Sequence, residues 1–264
     1  MEKREDIVMA NHELLKLTAT QVREGGYDKV ILAVGSCEAH GGHLAEGTDT
    51  FVSYMLSCQV AEHVKGLLVL PPVTVGYSAH YDTFPFSLTL GYDTITNVIY
   101  DIVESVLHGG INKIFIMNGH DGNIAPIEIA SRKIKEKYPD ARIAVLPAWW
   151  STAGELLPAD TFEVWNGLGH GGEGESSIAY HLFPQWCQPE LATCVVPDRL
   201  PDYIEIKWDF AEITNTGQTG DATKATPEKG AKMTEALVSC VVKAIQELDA
   251  SGWDYTTTGV ATKL

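Results

Sequence analysis

The 264-residue chain has no apolar run approaching the roughly 18 residues a membrane span requires, so no crossing of a bilayer is expected. It has no cluster of lysine or arginine. With 19 basic against 35 acidic residues, a formal charge of -16, a nucleic-acid or anionic-membrane surface is electrostatically disfavoured. Its five cysteines (Cys37, Cys58, Cys187, Cys194, Cys240) are scattered and form no CxxC pair, which excludes a thiolate zinc site and argues against a disulfide framework. There is no Walker motif and no GxGxxG immediately after a predicted strand, so a nucleotide-binding module lacks support. No internal repeat, low-complexity tract or interdomain linker divides the chain, and residues 1–264 read as one domain. The first ten residues mix charges without an apolar core of signal-peptide length, so a cytoplasmic location is the expectation.

What the sequence does contain is alternation. Short β-branched apolar runs at 29–34, 67–70, 113–118 and 142–147 read as strands. Amphipathic stretches at 50–64, 92–108, 126–138, 172–183 and 227–249 read as helices. Asp49 or Thr50 is placed to cap the first helix, Asp93 or Thr94 the second, and Pro227 suits the first turn of the last. This order predicts an α/β fold with a mostly parallel sheet flanked by helices on both faces. Segments 148–171 and 184–224 lack a clear period and read as functional walls or lids, with 197–224 as a candidate oligomer arm.

Three polar clusters follow apolar runs or open helices. The first, GSCEAHGGHLAEGTD, begins where the first strand ends, and ligands of open α/β sheets bind outside the carboxyl ends of strands. Glu38 and His40 are two apart, so an extended segment sends both side chains from one face, and Asp49 can return to the same place. Carboxylate and imidazole together suit Zn, Mn or Fe, and a shared carboxylate is a common way to hold two ions about 3.5 to 4 Å apart. The second cluster, NGHDGN, again follows a strand and projects His120 from a glycine-flanked turn. The third, HGGEGESS, puts His170, Glu173 and Glu175 around a helix start, a setting for a ligand or a proton-transfer pair. Tyr77, His80 and the Trp149-Trp150 pair are candidate pocket walls for a small planar substrate, with Trp150 as the favoured member of the pair. His43, His63, His108 and His181 stand outside these contexts.

Together the three clusters resemble the successive motifs of the creatininase family, a likeness running from about residue 15 to 247 and including VGYSAH, Phe84-Pro85 and GDATKATPEKG. The resemblance implies a flavodoxin-like fold, a homo-oligomer that is often a hexamer, and two divalent metal ions per chain, Zn, Mn or Fe. It implies that Glu38, Asp49 and His120 hold one ion, and that His40, Asp49 and a further acidic residue hold the other. The creatinine-hydrolysing member has a glutamate where this chain has Gly122, so that last role passes to Glu175. His170 matches the histidine given general acid/base work, with Glu173 as its orienting partner. The same member has a tryptophan four residues before the His170 position, where Asn166 stands here. The implied activity is hydrolysis of a cyclic or formyl amide C–N bond. Deformylation of a pyrimidine-nucleotide precursor, peptide trimming and a non-enzymatic flavodoxin-like binding module are the alternatives.

Overall fold

In a computed structural model, which describes residues 12–197 and 206–254, four parallel strands form the central sheet: β1 (Lys29–Val34), β2 (Leu67–Val69), β3 (Lys113–Asn118) and β4 (Arg142–Leu146), in the order β2-β1-β3-β4. The pairing is in register from Val30 opposite Ile114 to Val34 opposite Asn118, so the carboxyl ends of β1 and β3 lie side by side. Period-two alternation splits the strand residues between two cores. Ile31, Leu67, Val69, Phe115 and Met117 face one side; Val30, Leu32, Leu68, Ile114 and Ile116 face the other.

Helices α2 (Thr48–His63), α5 (Trp149–Leu156), α6 (Glu173–Leu182) and α7 (Pro227–Ala250) cover the first side, while α3 (Tyr92–His108) and α4 (Ile124–Lys137) cover the second. A short α1 (Ala19–Glu24), closed by a Thr18–Gln21 capping box, precedes β1. The chain after β1 therefore leaves for one face and the chain after β3 for the other, which opens a crevice between their ends. A small antiparallel pair, β5 (Cys194–Val195) with β6 (Gly220–Asp221), lies in the long irregular segment.

The expected elements are present within two residues at their ends. Pro227 opens α7 with Thr226 as its cap. Two expected caps are absent: α2 starts after Gly47 without a side-chain cap, its Asp49 carboxylate turned toward His40 instead, and α3 starts after Gly91 without one. Helix α5 arises where an irregular loop was expected, its Trp149 fully buried in the first core. The candidate oligomer arm lies partly outside the described residues. Its later part, Gln218 to Asp221, is buried against the functional clusters instead of projecting outward. No helix of the described residues is long and apolar enough to cross a membrane.

Candidate metal centre

The crevice between β1 and β3 gathers all three sequence clusters. Glu38 and His40 follow β1, Asp49 comes from the first turn of α2, His120 follows β3, and Glu175 comes from the first turn of α6. Asp49 is the hinge of the arrangement: Oδ1 lies 3.0 Å from His40 Nε2 and Oδ2 lies 3.2 Å from His120 Nδ1. His120 Nδ1 is also 3.1 Å from Glu38 Oε1, and His40 Nε2 is 3.9 Å from Glu175 Oε2. Three compact groups of possible ligands result among the described residues: Glu38 with Asp49 and His120, and His40 with Asp49 and Glu175, both buried, and Glu38 with His40 and the partly exposed His170.

Two glycines allow the approach. A Cβ on Gly119 would fall 2.3 Å from the Asp49 carbonyl oxygen, and one on Gly122 would fall 2.2 Å from the Tyr77 carbonyl oxygen and 2.6 Å from His120 Nε2. Any side chain at 122 would therefore press on both the Tyr77 carbonyl and His120 in this arrangement, while Glu175 approaches His40 from α6.

The histidines are aimed by main-chain carbonyls. His120 Nε2 is 2.7 Å from the Tyr77 oxygen, His40 Nδ1 is 3.0 Å from the Glu38 oxygen, and His170 Nε2 is 2.6 Å from the Ala39 oxygen. A carbonyl only accepts, so each of these nitrogens carries the proton and the other nitrogen presents a lone pair to the centre. Glu38 Oε2 accepts from Ser36 Oγ at 3.0 Å and from Ser78 Oγ, which leaves Oε1 free. Glu38 Oε1 and Asp49 Oδ2 are both buried, and the nitrogen beside both is His120 Nδ1, at 3.1 and 3.2 Å. Three buried carboxylates thus gather around imidazole nitrogens, a donor set that suits a divalent metal ion.

The protonation equilibria say the same. Burial opposes a charge on His40, but Asp49, with Glu175 and Glu38 behind it, overcomes burial and raises its pKa to about 10. Burial likewise disfavours His120's cation, and Glu38 and Asp49 lift it well above the usual histidine range. Burial pushes Glu175 up to about 7, assisted by Asp49 and Glu38 against the relief from His40 and the Gly171 N–H. Without a cation the centre holds protons, so metal uptake must release them.

His170 stands beside the two buried sets, its Nδ1 3.9 Å from Glu38 Oε1 and its backbone N–H donating to Thr219 Oγ1 at 3.0 Å. Burial, then the charge on His40, holds its pKa down to about 3. His80 is nearly parallel to His120 at 5.9 Å between centroids, beside the centre as expected.

One expected role is corrected. Glu173 does not orient His170: its Oε1 pairs with Lys229 Nζ at 2.5 Å, and its Oε2 accepts from the Glu163 and Val164 N–H groups at 2.9 and 3.1 Å. Trp150 is half-buried against the first core with its ring edge-on to the fully buried Trp149. Tyr77 contributes its carbonyl, while its ring stacks on Tyr92 at 3.7 Å. Sequence reasoning missed Asn118, Asn123 and His43. Asn118 Nδ2 donates to the His120 and Pro147 carbonyls, and Asn123 bridges the Tyr77 N–H and the Gly35 carbonyl, so both fix the strand ends. His43, 1% exposed, bonds Ser176, whose hydroxyl donates to the Gly171 carbonyl behind Glu175. The Asn residues resemble ordinary turn formers in sequence, and His43 gave no signal beyond its place in the first cluster.

Comparison with known proteins agrees with this geometry. The family model described as Creatininase, creatinine amidohydrolase, matches residues 15–245. The chain is 28% identical over 233 residues to the creatinine amidohydrolase of Pseudomonas putida, covering 83% of this chain and 88% of that one. It is 23% identical to the mycofactocin precursor peptide peptidase of Mycobacterium ulcerans, covering 83% and 85% respectively. Among solved structures, one named "Creatininase Mn" superposes with a TM-score of 0.77 at 26% identity, over 90% of this chain and 98% of that one.

Proposed function

The chain belongs to the creatininase family, and from that premise we propose that it is a dinuclear metal-dependent hydrolase of the C–N bond of a small cyclic or formyl amide. The observation that carries this reading is the buried Asp49 carboxylate set between His40 Nε2 at 3.0 Å and His120 Nδ1 at 3.2 Å, with Glu38 and Glu175 beside those imidazoles. Two divalent ions, Zn, Mn or Fe, held by Glu38, Asp49 and His120 and by His40, Asp49 and Glu175, would supply Lewis-acid activation of water and of the amide carbonyl. Water's oxygen bonds to the carbonyl carbon, the C–N bond breaks, and the proton of water goes to the leaving nitrogen. His170 is the carrier of that proton at Nδ1: it is held neutral before the reaction, and its Nε2–H is fixed on Ala39. Such proton transfer contributes about 10²- to 10⁴-fold.

The peptidase relative favours a second reading in which the amide is a peptide bond, with the same residues in the same roles. In either case the protein acts on small molecules or short peptides as a homo-oligomer, a hexamer by resemblance. The five free cysteines fit a reducing, cytoplasmic setting.

Elemental analysis of the purified protein, with turnover of cyclic amides and formamides before and after chelation, tests the proposal. About two transition-metal ions per chain are expected. Glu38→Gln and His120→Ala should lose metal and activity together. A metal-free protein that Zn, Mn and Fe all fail to reconstitute overturns it.

A further inference from the structure

Each imidazole of the centre is aimed by a main-chain carbonyl, whereas Glu175 is held from a glycine loop. Its Oε2 accepts from the Gly171 N–H at 2.6 Å. Gly171 stands at φ 59, in the left-handed region, where glycine leaves its two flanking peptide planes free to turn. Both planes must be fixed for that N–H to keep its aim. The plane before Gly171 is held by the Thr219 N–H, which donates to the His170 carbonyl at 2.8 Å. The plane after it is held by Ser176 Oγ, which donates to the Gly171 carbonyl at 3.0 Å, and by the Gly172 N–H, which donates to Gly169 within the same loop. Ser176 is therefore the link between loop and helix. It follows Glu175 directly in the first turn of α6, and its own N–H donates to the Gly172 carbonyl at 2.9 Å.

Behind Ser176 lies His43, with Nε2 at 2.7 Å from the serine Oγ. The single hydroxyl proton of Ser176 goes to the Gly171 carbonyl, which only accepts, so His43 carries a proton on Nε2 and Ser176 accepts from it. Burial, then the charge on His40, holds the His43 pKa down to about 4 against the pull of the Gly171 carbonyl, so the ring is neutral at pH 7 and Nδ1 is a bare lone pair. That Nδ1 is buried and has no hydrogen-bond partner among the described residues. An unpaired buried acceptor costs about 1 to 3 kcal/mol, which an apolar side chain at 43 would avoid. The imidazole is thus retained for its Nε2–H. His40 and His43 come from one stretch three residues apart: the first presents Nε2 to Asp49 and Glu175, and the second stands behind the loop that holds Glu175.

We propose that His43 is a positioning residue for the ion held by His40, Asp49 and Glu175, acting through Ser176 and Gly171 to keep Glu175 in place and leaving the ion on Glu38, Asp49 and His120 unaffected. The proposal rests on the dinuclear reading of the centre. Glu38 and His120 have supports of their own, in Ser36, Ser78, Asn118 and the Tyr77 carbonyl, and these are separate from the His43 chain of bonds.

The test is titration of the metal-free protein with Mn²⁺ alone, counting bound ions and their affinities from the EPR signal of the free ion. The parent is expected to take up two ions. His43→Leu and Ser176→Ala should each weaken one of them about 10- to 100-fold, as loss of a group behind a metal ligand does, while the other stays within about twofold. The double variant should bind no more weakly than either single one, because both act in one chain of bonds. His43→Gln, whose amide N–H can stand in for Nε2–H, should recover most of the loss, which a space-filling role for His43 would not give. If His43→Leu does not fold, Ser176→Ala and His43→Gln carry the comparison. Equal weakening of both ions, no weakening in Ser176→Ala, additive losses in the double variant, or a His43→Gln protein that binds no better than Ser176→Ala overturns the role of His43. A parent that binds one ion refutes the dinuclear reading alone where Ser176→Ala weakens that ion, and refutes both where it does not; a parent that binds none refutes both.

Discussion

Glu173 and Glu175 sit two residues apart in the first turn of one helix, both buried, and the protein treats them in opposite ways. Glu173 is saturated: a lysine from α7 on one oxygen and two backbone N–H groups on the other. Glu175 has the Gly171 N–H at 2.6 Å and His40 at 3.9 Å, with Asp49 and Glu38 pressing on it, and burial leaves its pKa near 7. A buried carboxylate supplied with its own cation holds the fold, whereas one left short of a cation is available to bind one.

Breaking the comparison on the Glu175 side should have the largest effect. Glu175→Gln is expected to lose the ion shared with His40 and about 10³-fold in amide turnover, read by elemental analysis and steady-state rates. Its metal-free form should unfold no earlier than the metal-free parent at pH 8, because a strained charge has been removed. On the Glu173 side the pattern inverts. Glu173→Gln leaves the partly exposed Lys229 with the Lys224 carbonyl at 3.0 Å and Glu163 at 3.6 Å and should cost about 1 to 2 kcal/mol of stability by denaturant titration, while metal content per folded chain stays at the parent value. Pairing it with Lys229→Met should recover much of that loss.

A smaller effect sharpens the contrast from a distance. Gly122→Ala pushes the Tyr77 carbonyl off His120 and should weaken metal binding about 10- to 100-fold, seen by competition with a chelator.

The smallest effect is in pH. Glu175's folded pKa is raised from 4.5 to about 7, so the metal-free native state binds more protons than the unfolded chain between those values, and stability falls as pH rises through them. His40, raised to about 10, contributes stability that is full below 6.5 and lost as pH climbs through 10. Asp49, held below the usual carboxylate range, acts in the other direction only at acid pH. The unfolding midpoint of chelated protein should therefore drop by several degrees from pH 5 to pH 9, less so in Glu175→Gln, and the metal-loaded protein should show little of this slope.

The sequence made the frame legible. Short β-branched apolar runs read as buried strands, and the polar clusters after two of them pointed to the crevice, which brought Glu38, His40, Asp49 and His120 forward by position; Glu175 came from the family resemblance. Glu173 was misread because its partner, Lys229, is 56 positions later on another helix, and no local pattern announces that contact. Phe210 escaped notice because a single aromatic in an aperiodic segment carries no periodic signal, and its contact with the His170 ring depends on where the turn folds back.

The three imidazoles are aimed by oxygens of the main chain at Tyr77, Glu38 and Ala39, atoms that every amino acid possesses. Replacing the side chain at 39 or 77 leaves the aiming oxygen in place, and only a shift of the chain itself removes it. The centre is therefore buffered against substitution in its own supports, and libraries that randomise positions 39 and 77 leave the imidazoles their orientation.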